Sequence, residues 1–578
     1  RDRLADSPAS LGPEPLLACG FVSVRLYELT GDAGWLDSAR AAFGRALVEA
    51  PGSTWAQYGL ALALAGGASV HPPPPRGLAA WQGLQTGLGR GPLDRARAAA
   101  LRALDLDPGF DRARLLVARI AVHERKPERL REAIALLRSA PGTGVPDTGP
   151  SPELLAAAAE LELALDEPAA AASTARAALA RRPGDAVAQL VLAEALLRQP
   201  GLEEEGARAY FETDSLDDRA AARYFRDIEP LASAAERASW PADPLSRARW
   251  LRRFWEVRAA LAGMTVAERL AVHYRRLAEA RARYPRRGRS GAPPRGAALA
   301  RDPGGEELDA RGVVLLRYGA PDRVVRTVAG AGAEVQPYPD NETWVYFREG
   351  GKALLFHFYR APLAGSDYAL LGELPSCDPT FPSPLPYSEQ YYADRIAYAP
   401  EYQSLVAECR QLGATGDRTR GAALTAVRLS AELRAAVLGA LEREDARPRF
   451  ARALPLLAAL YRLRGERGAT RVVAALAVPV AGAGADPAGK GRRIALRASL
   501  IVIDTVTGRV TRRDSLVELR APERLAPGHA LRFSLELDAA PSRTAIYRLV
   551  LRDATDPDAG ALRGGPLDLP DYGAGSPM

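Results

Sequence analysis

The sequence predicts a multidomain α + β protein: an N-terminal α-solenoid, a central α + β domain with a small antiparallel sheet, and a C-terminal β-sandwich. Three observations predict it. Alanine-rich segments closed by proline recur between Pro15 and Phe211. Short apolar runs bounded by Gly and Pro follow between Val313 and Leu374. Alternating apolar and polar residues fill several runs from Leu454 onward. The boundaries read from these changes are 1–212 for helical repeats, 213–300 for linking helices, 301–445 for the α + β domain, and 446–578 for the sandwich.

A chain of 578 residues exceeds what one core can organise. Its 47% apolar and 25% charged content is that of an ordinary globular protein, and a net charge of +7 is small for the length. Lys126, Lys352 and Lys490 are the only lysines, so nearly every cation is Arg. With abundant Ala, Gly and Pro, this matches the codon usage of a GC-rich bacterial genome and is a weak pointer to nucleic acid. No run reaches the roughly 18 uninterrupted apolar residues of a membrane helix.

LLACG at Leu16–Gly20 has the look of a lipoprotein cleavage box. The preceding RDRLADSPASLGPEP lacks an apolar h-region, so Cys19 is expected within a helix. Cys19, Cys377 and Cys409 form no CxxC pair and leave an odd count, which predicts neither a disulfide framework nor a zinc site.

In the first third, ARAAFGRALVEAP (39–51), ARAAALRALDLDP (96–108) and AAASTARAALARRP (170–183) repeat one design. Ala39, Ala96 and Ala171 are each followed seven positions later by Ala46, Ala103 and Ala178, and a Pro closes the segment. Small side chains let neighbouring helices approach, and Pro cannot continue a helix. WAQYGLALALAG carries Trp55, Tyr58, Gly59 and Leu62 at the spacing of a partner helix, and DAVAQLVLAEALL (185–197) is another such helix. Four or five helix pairs of this kind resemble the tetratricopeptide repeat (TPR), with a Pro/Gly-rich insertion at 70–92. The resemblance implies a solenoid whose groove, around Trp55, Tyr58 and Leu62, binds a protein or peptide; a spacer within its own chain is the alternative.

SRARWLRRFWEVRAALAG (246–263) alternates Arg with Trp, yet Trp250, Phe254, Val257 and Leu261 recur on one helical face while Arg249, Arg252 and Arg253 occupy others. This predicts a core-facing amphipathic helix. A second follows at 265–285, with Leu270, Tyr274 and Leu277 inward. The loop after it carries Arg286, Arg287, Arg289 and Arg295, which could meet phosphates but lack an aromatic platform.

Val313–Tyr318, between Arg311-Gly312 and Gly319-Ala320-Pro321-Asp322, reads as a buried strand. TWVYF (343–347), ALLFHFY (353–359) and DYALLGEL (367–374) follow as strands, the first two joined by a tight Gly350-Gly351 turn. Together with the RRFWEVR helix, RG at 311–312, RYGAPD at 317–322 and ETWVYF at 342–347, this order resembles the GWxTD domain, a bacterial family of uncharacterised activity. Glu306–Ala310 stands where the namesake motif belongs. The resemblance assigns Arg311, Gly312, Tyr318, Gly319, Pro321, Asp322 and Trp344 to structural motif positions. It also implies export from the cytoplasm and one strand beyond the closing PDYGAGSPM.

Asp322 and His357 are the one pair that could serve as base and partner. A Pro-Asp pair most often turns the chain, and no nucleophile elbow accompanies it. In the Pro/Tyr-rich stretch 375–400, Tyr391, Tyr392 and Tyr398 could contact a partner protein, although packing within the chain is favoured. Residues 422–444 read as a helix. GADPAGKG (484–491) nearly spells a phosphate-binding loop but puts Gly491 where a hydroxyl is needed, and a strand follows it instead of a helix.

These readings lead to a non-enzymatic, exported bacterial scaffold that binds protein partners, with no cofactor and no metal. The alternatives are a hydrolase or transferase using Asp322 and His357, and nucleic-acid binding through Arg286–Arg295.

Overall fold

The computed structural model describes residues 13–70, 91–140, 149–286, 307–327, 340–348, 351–360, 367–375, 388–415, 420–479, 492–521 and 530–572. The chain divides into two compact units. The first comprises residues 1–213, 218–239 and 275–444; the second comprises 214–217, 240–274 and 445–578. The segment read as linking helices is therefore shared between them.

Among the described residues the first unit opens with five helix pairs: α1 (Pro13–Thr30) and α2 (Gly34–Glu49), α3 (Thr54–Val70) and α4 (Pro92–Leu106), α5 (Asp111–Glu124) and α6 (Pro127–Arg138), α7 (Pro152–Ala164) and α8 (Pro168–Arg181), α9 (Ala186–Leu197) and α10 (Glu203–Tyr210). Proline occupies the first turn of α4, α6, α7 and α8, where its missing N–H costs nothing. Asp185 caps α9 by accepting from the N–H groups of Val187 and Ala188, each at 3.1 Å. Ala39, Ala46, Ala96, Ala103, Ala171 and Ala178 are all fully buried, so the recurring small residues do form the seams between helices. This is a TPR-like helical repeat region. Helices α11 (Asp218–Ile228) and α12 (Ala234–Ala238) follow in the same unit.

The first unit also holds the four-stranded antiparallel sheet β1 (Arg323–Val325), β2 (Asn341–Tyr346), β3 (Leu354–Arg360) and β4 (Tyr368–Leu370), in that order. The register sets Trp344 beside Phe356 and Thr343 beside His357. The Gly350 turn lies outside the described residues.

Val313–Tyr318 is not a strand. It belongs to helix α15 (Ala310–Tyr318), which comes after α13 (Pro244–Ala262) and α14 (Val266–Arg283) in chain order. The Asp309 carboxylate caps the first turn of α15, accepting from Arg311 and Gly312 N–H at 2.9 and 3.1 Å. Gly319 ends the helix at φ +75°, a conformation that glycine adopts without strain. Val313, Val314, Leu315 and Leu316 are all buried. A short helix buried on every side shows no 3.6-residue alternation, so its apolar run looks like that of a buried strand. Tyr318 packs on Tyr346 and Phe356, covering one face of the sheet. Helices α16 (Ser388–Ala393) and α17 (Tyr402–Thr415) bring Tyr391 and Tyr402 to the opposite face, against His357. Helix α18 (Arg420–Leu441) closes the unit.

In the second unit, α13 begins at an Asp243 cap and ends at Gly263. Trp250, Val257 and Leu261 are only half-buried, whereas Trp255 is fully buried, so the inward face of α13 is wider than the four-residue stripe predicts. Arg249, Arg252 and Arg253 are exposed, as their phase requires.

The strands of the sandwich are β5 (Arg452–Ala453), β6 (Leu457–Arg464), β7 (Thr470–Pro479), β8 (Arg492–Asp504), β9 (Val510–Ala521), β10 (Ala530–Ala539), β11 (Ala545–Asp553) and β12 (Ala559–Pro566). They form a three-stranded sheet, β10-β7-β6, packed on a five-stranded sheet, β5-β12-β11-β8-β9. Leu476 and Leu535 from the small sheet meet Leu496 and Leu551 from the large one in a common core. β8 is buried on its other face too, where Ile501 and Ile503 pack on Ala260 of α13. β12 passes unrecognised in the sequence because AGALRGGP carries three glycines and little alternation. The near-phosphate loop at 484–491 lies outside the described residues.

Candidate functional site

Two places in the first unit bear on function: the aromatic patch of the repeats and the polar core beneath the four-stranded sheet.

The patch is built by α1, α3 and the start of α5. Trp55 remains 43% exposed although Phe110 packs edge-on against it at 4.9 Å and Phe21 at 6.0 Å. The Arg112 guanidinium lies 5.2 Å from the Trp55 ring centroid, within cation–π range. Tyr58 is buried and Leu62 half-buried, so these two support the patch from below and leave Trp55 as its surface. Burial pushes the Tyr58 hydroxyl above its ordinary pKa, against the pull of Arg119 and Arg112. Both arginines are exposed, and neither meets a carboxylate among the described residues. The close approach of α2 to α3 depends on Gly59, where a Cβ would lie 2.3 Å from Phe43 Cε1.

The polar core is organised by Arg395, fully buried yet aligned on no carboxylate among the described residues. Its Nε donates to Thr343 Oγ1 (2.6 Å). Nη1 donates to Thr327 Oγ1 (2.7 Å) and the Tyr391 carbonyl (2.8 Å), and Nη2 to Asn341 Oδ1 (2.9 Å) and the Val325 carbonyl (3.5 Å). All five guanidinium hydrogens are thus used. Thr327 donates in turn to Asp394 Oδ2 at 2.7 Å, relaying part of the charge to a carboxylate. Tyr391 lies under the guanidinium, ring centroid to Cζ 3.6 Å. His357 continues the chain: Nδ1 is 2.7 Å from Thr343 Oγ1 and Nε2 is 2.9 Å from the Tyr402 hydroxyl. The Thr343 hydroxyl thus bridges the Arg395 guanidinium and Nδ1, while the Tyr402 hydroxyl bonds Nε2. Burial, reinforced by the Arg395 charge, lowers the His357 pKa to about 3. The imidazole is neutral and sealed from solvent.

Asp322 is spent elsewhere. Its Oδ2 accepts from Phe347 N–H at 2.7 Å and its own N–H donates to the Val345 carbonyl at 2.9 Å, fastening β1 to the end of β2. The pairing aligns Arg323 with Val345 and Thr343 with His357, so the structure does not bring Asp322 and His357 together.

The other motif residues are equally committed. Arg311 pairs with Asp309 through Nε and Nη2 (3.1 and 2.7 Å) and stacks on Tyr368 at 3.5 Å. Tyr318 donates to the Ala440 carbonyl, and Trp344 Nε1 donates to Glu342 Oε2. Gly312 is buried within α15, and Pro321 sits half-buried between the end of α15 and β1. Of the tyrosines offered as partner contacts, Tyr391 and Tyr392 are fully buried and turn inward; Tyr398 is half-buried beside Phe347. Cys19 is a free, half-buried residue of α1. Cys409 is disulfide-bonded, which the odd count of cysteines concealed; Cys377 lies outside the described residues.

Sequence reasoning missed Arg395, Thr343 and Asn341. A signal existed: Asn-Glu-Thr opens an otherwise apolar strand, and Tyr391 precedes Arg395 by one helical turn. It also missed a buried charge cluster in which Asp227 receives both Arg223 and Arg281, with Glu194 and Glu307 alongside. Burial pushes the Asp227 carboxyl up, but Arg223 and Arg281 prevail and hold it below its ordinary range. Glu194 is raised by burial, which Arg281 only partly offsets. Among the described residues no group of His, Cys, Asp and Glu could hold a metal ion, and no helix is long and apolar enough to cross a membrane.

No protein-family model and no curated protein matches the chain. Among solved structures, it is similar to YrrB, described as a TPR protein with an unusual peptide-binding site: 19% identity over 30% of this chain and 75% of that one, TM-score 0.20. It is also similar to TTC0263, a thermophilic TPR protein of Thermus thermophilus: 25% identity over 32% of this chain and 100% of that one, TM-score 0.17.

Proposed function

We propose that this chain is a non-enzymatic scaffold of the TPR plus GWxTD-domain type, binding a protein or peptide through its repeats. The observation that carries the reading is Trp55: a large aromatic left exposed on a helical repeat, with Arg112 over its ring and Arg119 nearby. Exposed Trp and Arg in one patch are the residue types that dominate binding energy at protein interfaces. The cations favour an acidic segment as the partner. The non-enzymatic part is supported by the use of Asp322 and His357 as structural hydrogen-bonding groups, one fastening a strand and the other buried in a closed network. Activity outside the cytoplasm, which the GWxTD resemblance implies, is supported by the disulfide at Cys409, since such bonds persist in oxidising compartments.

The test uses the full chain, immobilised, with Trp55→Ala and Arg112→Ala beside the wild type. Proteins captured from a bacterial extract are identified by mass spectrometry. A partner retained by the wild type and lost with either variant supports the reading. Equal capture by all three sinks it.

A further inference from the structure

We propose that the open half of the repeat face takes an amphipathic helix with carboxylates one turn apart, the charge-reversed counterpart of the chain's own α11. This rests on the scaffold reading above and names the chemistry of the partner. The first helices of the repeat pairs share one alignment. Trp55, Arg112, Glu153 and Val187 are the second residues of α3, α5, α7 and α9, and Leu62, Arg119, Glu160 and Glu194 are the ninth. Residues seven apart lie on one side of a helix. Along these two rows the side chains are sorted: apolar on α3, basic on α5, and acidic at both positions of α7.

The acidic half is occupied by the chain itself. Arg219 of α11 pairs with Glu153 at 3.3 Å, and Arg223 pairs with Glu160 at 3.2 Å and Glu194 at 3.6 Å. Glu153 also receives Arg182 at 3.3 Å, and Arg281 of α14 reaches Glu194 at 3.8 Å. Arg219 and Arg223 are one helical turn apart, so α11 lays one edge along the rows. Ala220 and Tyr224, one position further on, are buried, whereas Ala222 and Arg226 face solvent. α11 is therefore a built example of what this face binds: a helix whose charges, spaced i and i+4, meet opposite charges at the second and ninth positions.

The basic half repeats that arrangement with the signs exchanged, and it stays open. Arg112 and Arg119 are exposed, and the nearby carboxylates of Glu153 and Glu160 are paired with α11 instead of with them. The apolar groups beside the two cations are accessible as well. Trp55 is 43% exposed and Val122 46%, and Leu62 and Leu115 lie half-buried beneath as a floor.

The occupant follows from complementarity. It needs negative charge for the two arginines and an apolar strip for the floor. Carboxylates at i and i+4 of one helix supply the first, and the residues one position further on supply the second, as Ala220 and Tyr224 do in α11. A basic helix is repelled at this half. An extended acidic chain turns successive side chains to opposite sides and cannot set both features on the same edge.

The probe is α11 with its signs exchanged: a fluorescein-labelled peptide of residues 218–228 carrying Arg219→Glu and Arg223→Glu. A hydrocarbon link between positions 222 and 226, on the solvent side, holds it helical, because 11 residues alone do not stay so. A second peptide keeps the composition and the link but carries Arg219→Glu, Ala221→Glu and Arg223→Ala, which turns its two new carboxylates to different sides. Each is titrated with the full chain and followed by fluorescence anisotropy. The first peptide should bind at least about tenfold more tightly than the second. Arg112→Glu and Arg119→Glu should each weaken it at least about tenfold, and Arg513→Glu, at an exposed arginine of β9, should leave it unchanged. Circular dichroism should be the same for all the proteins. No binding of the first peptide up to about 1 mM, equal affinity for the two peptides, or indifference to both arginine variants overturns the proposal. Each of those results sinks the helical partner and leaves the scaffold reading to its own capture experiment, which Trp55→Ala decides.

Discussion

The Nε of Arg395 donates to the hydroxyl of Thr343 across 2.6 Å, joining residues 52 positions apart and tying helix α16's end to the middle of β2. Thr343 is therefore the junction through which a buried cation orients a buried histidine. Replacing Arg395 by Met removes the charge and takes one hydrogen bond from each of Thr343, Thr327 and Asn341. The expected loss is about 3–5 kcal/mol, the scale of breaking a buried charged network. Urea unfolding followed by near-ultraviolet dichroism measures it. Arg410→Met, which removes only the exposed pair with Glu389, should cost under about 1 kcal/mol.

The pH dependence of stability should report His357. Its folded-state pKa of about 3 lies below the roughly 6.5 of an unfolded histidine, so the unfolded chain binds the proton first. Stability is complete above pH ~6.5 and falls as pH drops toward 3, by up to about 1.4 kcal/mol per unit. His357→Gln should flatten that slope between pH 6 and 4 relative to wild type. An unchanged slope would show that the imidazole is not held neutral.

Asp227 acts at lower pH. Its carboxyl is held below the ordinary range, so its contribution is present above the unfolded value of about 3.9 and is lost as pH falls further. Asp227→Asn leaves Arg223 and Arg281 without their shared acceptor charge. The variant should be clearly less stable than wild type at pH 7, and the gap should narrow below pH ~4. Thermal melts at matched ionic strength read both effects.

Packing of the repeats makes a third kind of prediction. Gly59→Ala puts a methyl 2.3 Å from the Phe43 ring, which is itself fully buried. An overpacked helix pair of this kind loses about 1–3 kcal/mol. Adding Phe43→Leu should recover part of the loss, which a double-mutant cycle would show.

Much of this architecture was legible from residue order. The alanine seams of α2, α4 and α8, the strands β2 and β3, and the alternation of β7 and β8 are local patterns with periods of their own. The site was less so. Trp55 could be singled out as aromatic, but its exposure, and the burial of Tyr58, depend on where Phe21 and Phe110 arrive. Tyr391 and Tyr392 look like surface tyrosines until Arg395 and His357 are seen beside them.

Periodicity and turn chemistry are properties of neighbours in the chain, and they suffice to order a repeat region, a small sheet and a sandwich. Pairings between distant residues are settled by folding alone. Val313–Leu316 became a helix because Asp309 and Gly319 cap it and packing covers every side. Asp322 and His357 parted because the β1–β2–β3 register holds them at different rows. Arg395 could be buried because acceptors from β2, the end of β1 and the preceding helix α16 converged on one guanidinium, and desolvation tolerates a charge only where such convergence exists.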